Sequence, residues 1–181
     1  MLRLNVQLTP EGWNEETEEF VEAKTQVLDL EHSLVSISKW ESKWHKSFIH
    51  TKDLTHEETL DYVKYMTLTK NVKPEVYDNL SDEDYVQIRN YIDNPMTATI
   101  FTEDKNAKNN REIVTAELIY YWMIALNIPF ECQKWHLNRL LTLIRVCNIK
   151  NQPPKKMGKQ ATLNQYASLN AARKAKMNTK G

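Results

Sequence analysis

The sequence predicts a mainly α protein: a single helical domain with a small N-terminal β element and a basic C-terminal helical arm. Three observations carry this expectation. Only 3 glycines and 6 prolines occur in 181 residues, which favours regular elements joined by short connections. Apolar positions recur at helical spacing through most of the chain, and several such segments open on capping residues. Charge, finally, is divided along the chain although it sums to zero: residues 1–131 hold all 24 acidic groups against thirteen basic ones, and residues 132–181 hold eleven basic groups alone. The predicted organisation is a body over residues 1–152 and a basic, partly disordered arm over 153–181.

The elements follow in order. Leu2, Leu4, Val6 and Leu8 alternate and stop at the turn-like Thr9-Pro10-Glu11-Gly12, the period of a half-buried strand. Val27, Leu28 and Leu30 supply a second strand over 25–30 that pairs with it. Leu34, Ile37, Trp40, Glu41 and Trp44 then repeat at helical spacing, predicting a helix from Ser33 to about Lys46. Thr55 and Glu58 form a capping box, in which each side chain satisfies a free backbone N–H of the first turn. Leu60, Val63 and Met66 mark the buried face of that helix. Pro74 opens a short element to Leu80. Ser81 caps a further helix faced by Tyr85, Ile88 and Ile92, which the Asn94-Pro95 step ends.

Residues 102–110, TEDKNAKNN, are polar and aperiodic and read as a loop with a mobile tip. Arg111–Asn127 is the most apolar stretch and predicts a central helix, apolar around most of its circumference. Ile128-Pro129-Phe130 turns the chain, and a helix over 133–149 returns antiparallel against its predecessor, with Arg139 and Arg145 outward. Pro153-Pro154 ends it and acts as a hinge. Beyond lies a segment with good helical propensity, in which Leu163, Tyr166 and Leu169 form a narrow apolar face. A helix of that kind is marginal alone in water, so a nascent or partner-stabilised helix is expected. The predicted core is Leu60, Val63, Ile88, Ile113, Leu118, Ile119, Trp122, Leu137, Leu140, Leu141 and Ile144.

Composition narrows the function classes. Hydrophobic residues at 41% and charged residues at 27% describe a globular chain. MLRLNVQL has no continuous apolar core of the signal-peptide kind, and LIYYWMIAL (118–126) is half a membrane span, so no membrane partner and a cytoplasmic location are expected. No catalytic motif is found: there is no nucleophile elbow, phosphate-binding glycine loop or deaminase signature. No catalytic residue, metal or cofactor is therefore expected. Cys132 and His136 stand four residues apart, but the second pair of ligands a structural zinc needs is missing, and Cys132 and Cys147 are expected as reduced, partly buried thiols. Trp40 and Trp44 among Lys39, Lys43 and Lys46 suggest either a stacking surface for single strands or a core face with a wet edge; the chain's need of large core residues favours the second.

The basic arm is the remaining candidate. If it binds, Lys155, Lys156, Arg173, Lys174 and Lys176 supply charge, with Tyr166 and Leu169 as apolar anchors. Such a segment suits phosphates, an acidic protein surface or the chain's own acidic body.

The blocks LEHSLVSISKWESKWHKSF (30–48), DNPMTATIF (93–101) and residues 111–157, followed by SLNAARKAKMNTKG, resemble a family of small proteins of tailed bacteriophages and prophages, of siphovirus type. The resemblance covers nearly the whole chain except residues 9–24 and 102–110. Within that structural-module family the chain looks most like a tail assembly chaperone. That implies a non-enzymatic protein of the host cytoplasm that binds the tape measure protein, keeps its helices soluble and helps recruit tail tube protein, with self-association possible. The alternatives are a virion structural protein of the neck, head-completion or tail type, or a nucleic-acid-binding accessory protein that uses the basic tail.

Overall fold

In the computed structural model, residues 1–9, 12–14, 19–101, 112–152 and 158–177 are described. Strand β1 (Leu2–Thr9) pairs antiparallel with β4 (Lys24–Leu30), in a register that sets Leu2 opposite Leu30 and Leu4 opposite Leu28. Leu4, Val6, Leu28 and Leu30 are buried while Arg3, Asn5 and Gln7 face water, so the alternation in sequence becomes one inner and one outer face. Between them, β2 (Gly12–Asn14) and β3 (Glu19–Val21) form a second small hairpin that sets Trp13 opposite Phe20. Its three-residue strands are too short to show an alternation in sequence.

Helix α1 (Leu34–Trp44) begins at a capping box between Ser33 and Ser36 and ends at His45 in the left-handed conformation. Helix α2 (His56–Met66) carries the predicted Thr55–Glu58 box: the Glu58 carboxylate accepts from Thr55 N–H at 2.8 Å, and Thr55 Oγ1 accepts from Glu58 N–H at 3.2 Å. Short α3 (Pro74–Asp78) precedes α4 (Asp82–Asp93), which opens on a Ser81–Asp84 box. After α5 (Ala116–Ala125) come a 3-10 turn (Phe130–Lys134) and α6 (Leu137–Asn151). The chain divides into two units, Met1–Asn148 and Ile149–Gly181. The second contains α7 (Lys159–Met177). Among the described residues no helix is long and apolar enough to cross a membrane. The molecule is mainly α, and among the described residues its strands lie in the N-terminal segment.

The first unit closes around the stretch Asp29–Ser33. On one side Glu31 N–H donates to Met66 O at 2.9 Å, and Leu68 N–H donates to Asp29 O at 2.8 Å. On the other, Leu137 N–H donates to His32 O at 2.8 Å, and Ser33 bridges to His136. One extended segment thereby holds the end of α2 and the start of α6. Strands, α1 and α2 supply the largest fully buried side chains, including Trp40, Tyr62, Leu28, Leu34 and Met66.

Several expectations need correction. The helix predicted over 111–127 starts only at Ala116, because Ile113, Val114 and Thr115 are β-branched and tertiary bonds hold the chain out of the helix there. Ser47 Oγ donates to Val114 O at 2.6 Å, and the Glu41 carboxylate accepts from Ala116 N–H at 2.7 Å. Ile113 is consequently 63% exposed, not core. Nor is α5 buried all round: Ala116, Ile119 and Met123 face inward, Leu118 and Trp122 are at the half-buried edge, and Tyr121 and Ile124 face water. Its main neighbour is α1 rather than α6. The helix expected over 133–149 begins at Leu137, after the 3-10 turn. Val63, Ile88, Ile119, Leu137, Leu140 and Ile144 are buried as expected, with Leu60 and Leu141 partly buried against them.

Candidate functional site

Within the first unit, the residues that could carry chemistry are engaged in structure. His32 and His136 lie edge to face with ring centroids 5.0 Å apart, and Tyr91 meets His136 edge to face at 4.9 Å. Each ring has its partners. His136 Nε2–H donates to Tyr91 O at 2.9 Å, and its Nδ1 accepts from Asn138 N–H at 3.3 Å. Tyr62 OH and His32 Nδ1 share a hydrogen bond, and Tyr91 OH donates to Glu31 Oε1 at 2.6 Å. Burial first, and then the neighbouring His136, lowers the His32 pKa to about 3, so its ring stays neutral. Burial also lowers that of His136 and pushes both tyrosine hydroxyls upward. This is a satisfied polar junction between β4, α2, α4 and α6.

The Cys132–His136 pair is accordingly not a ligand pair: both nitrogens of His136 are taken, and the Cys132 thiol is buried and pushed upward in pKa by that burial. Both cysteines are free thiols, Cys132 buried and Cys147 partly so. No group of three or more His, Cys, Asp or Glu among the described residues is placed to hold a metal. A surface cleft of about 450 Å³ lies between the 48–54 segment, α2 and α4; Lys52, Asp53, Arg89 and Asp93 are among its lining residues.

Of the Trp40–Trp44 pair, Trp40 lies in the core and Trp44 is partly buried against it. Trp40 is fully buried and its Nε1–H donates to Glu58 O at 2.9 Å. Lys43 bonds the Asp61 carboxylate and lies over the Trp44 ring, while Lys46 Nζ reaches Glu58 Oε1 at 2.6 Å. The hydrogen bond from Lys46, and next the one from Thr55 N–H, hold the Glu58 carboxyl below its ordinary pKa. Two of the lysines around these rings therefore face acidic side chains of α2. Arg139 and Arg145 are exposed as expected, each over an aromatic ring: Trp135 at 4.4 Å and Phe101 at 4.0 Å.

The second unit is different. Helix α7 spans 19 residues and holds no Asp or Glu. At 100° per residue, Leu163, Tyr166, Leu169, Arg173 and Met177 fall within one arc of about a third of the circumference, with Lys174 and Lys176 on its two flanks. All seven are exposed, and no ion pair among the described residues engages the three cations. The structure thus gathers Tyr166, Leu169, Arg173, Lys174 and Lys176 on one helix. Lys155, Lys156 and the Pro153-Pro154 hinge lie outside the described residues. Met177, four residues after Arg173, completes the stripe and was missed because the last turn reads as a run of Lys and Ala.

Comparison with protein-family models, curated proteins and solved structures finds no match to this chain. What the fold and the site define is a class: a mainly helical protein with a polar junction closed inside one unit and an open, basic, amphipathic helix in the other.

Proposed function

We propose that the protein is a non-enzymatic tail assembly chaperone, the kind its sequence resembles, and that it grips a helical client bearing acidic side chains through α7. The single observation that supports this is the exposed stripe of α7 with cations on both flanks. An amphipathic helix binds another helix by laying its apolar row along it, and flanking cations select acidic neighbours. A long repetitive client, the tape measure protein, offers many copies of such a site, so modest individual contacts add up along it. Holding those helices keeps them soluble until tail tube protein assembles on them. The protein would act in the host cytoplasm.

Co-expression with the tape measure protein tests the reading. The wild-type chain should raise the client's soluble fraction, and Tyr166→Asp with Leu169→Asp should abolish the gain. No gain from the wild type sinks the proposal. Mass spectrometry of purified virions separates it from a virion structural role, since a chaperone is absent from mature particles. A nucleic-acid role predicts binding that falls steeply with salt, and no DNA shift at low salt removes it.

A further inference from the structure

The most apolar helix of the body is open on one side. Helix α5 presents Tyr121, 63% exposed, and Ile124, 61% exposed, and Phe130 (52%) follows in the next turn. The Phe130 ring lies 6.5 Å from that of Tyr120, which is one helical turn from Ile124, so these side chains form one continuous patch. Glu117 is exposed one turn before Tyr121 on the same row. Contiguous apolar surface of this kind marks an interaction site.

The row on α5 is Glu117, Tyr121, Ile124: acidic, then apolar at four and at seven residues. The row on α7, taken from its C-terminal end, is Arg173, Leu169, Tyr166: basic, then apolar at four and at seven residues. Both rows span about 10 Å at helical rise. Laid antiparallel, they put Arg173 against Glu117, Leu169 against Tyr121 and Tyr166 against Ile124, leaving Leu163 towards Phe130. No like charges meet between the two helices, because α5 holds no Lys or Arg and α7 no Asp or Glu. Antiparallel helices also set their dipoles head to tail.

We propose that two copies of the chain pair by exchange, the α7 of each lying antiparallel on the α5 face of the other. In a single chain both faces are exposed, and a second copy covers all four at once. The pairing is twofold, so each contact occurs twice. It goes beyond the client reading but uses the same stripe: a dimer hides α7 until a client displaces it. A chain that dimerises without binding a client overturns only the chaperone reading. A monomer that binds a client overturns only this one.

Molar mass by light scattering and sedimentation equilibrium decides it, on the full chain at micromolar to tens of micromolar concentration. The wild type should be a dimer. Tyr121→Glu with Ile124→Glu should be monomeric, as should Tyr166→Glu with Leu169→Glu, with unchanged far-ultraviolet spectra since all four positions are exposed. Glu117→Lys should weaken dimerisation about tenfold, two repelling contacts each replacing a modest attraction. Adding Arg173→Glu to that variant should restore it. A wild-type monomer, as expected if each α7 is held by its own chain, overturns the proposal. So does a dimer indifferent to the α5 substitutions, or a charge reversal that rescues nothing.

Discussion

Three basic side chains in each unit are put to opposite use. In the body, Lys43 bonds Asp61, Lys46 bonds Glu58 and Arg3 bonds Asp29 at 2.8 Å. On α7, Arg173, Lys174 and Lys176 flank an exposed apolar stripe and engage no carboxylate among the described residues. Two aromatics show a like contrast: Trp40 is buried with its Nε1–H bonded, while Tyr166 faces water. A cation already paired within the fold has little left to offer a partner. One that is unpaired leaves stability almost untouched and remains available, and this separates residues that fold the protein from residues that can bind.

The comparison breaks first, if it breaks, at Trp40. Trp40→Ala removes the largest fully buried side chain and leaves the Glu58 carbonyl without its donor. The expected cost is about 3–5 kcal/mol, read as a fall in the urea midpoint. A cost under about 1 kcal/mol would mean that the body is not organised around this ring.

Glu41 comes next. Its carboxylate accepts from Phe48 N–H at 2.8 Å and from Ala116 N–H at 2.7 Å, tying α1 to the start of α5. Glu41→Gln turns an amide NH₂ towards one of those donors and should cost about 1–3 kcal/mol. Hydrogen exchange should quicken at Ala116 and Phe48 but not along α7.

Acid should act on the body in two stages. His32 and His136 are neutral in the fold, and their pKa values lie below the unfolded value of 6.5, His32 at about 3. Between those limits the unfolded chain binds more protons, so stability falls as pH drops below about 6.5. Glu58 is also lowered, from 4.5, and its share is present above that value and lost as pH falls further. The melting temperature should therefore decline between pH 7 and pH 5, and more steeply below 4.5. A flat profile from pH 7 to 5 contradicts the neutral histidine pair.

The α2 and α4 helices were legible in sequence because their caps are local: Thr55 and Ser81 each act on a backbone N–H three residues on. So was the β1–β4 pairing, whose alternation survives the 14 residues between the strands. The histidine junction was not. His32 and His136 are 104 positions apart, and nothing near either one announces that β4 and α6 will meet. The start of α5 failed for a related reason, since bonds from Glu41 and Ser47 override the local apolar pattern. The apolar stripe of α7 was partly visible, because an exposed helix keeps its own periodicity without help from neighbours. Its end at Met177 was hidden by the lysines around it.

The smallest effect on stability is expected from the arm. Replacing Lys155, Lys156, Arg173, Lys174 and Lys176 with Gln should move the body's unfolding transition by no more than about 0.5 kcal/mol, because the three described cations have no carboxylate partner to lose. Client binding should fall sharply, and with it the dependence of that binding on salt. Gln substitutions at Arg3, Lys43 and Lys46, where partners exist, should lower the urea midpoint and leave client binding intact. A large loss of stability from the arm substitutions would mean that these charges hold the fold together rather than await a partner, and the division drawn between the two units would then fail at its base.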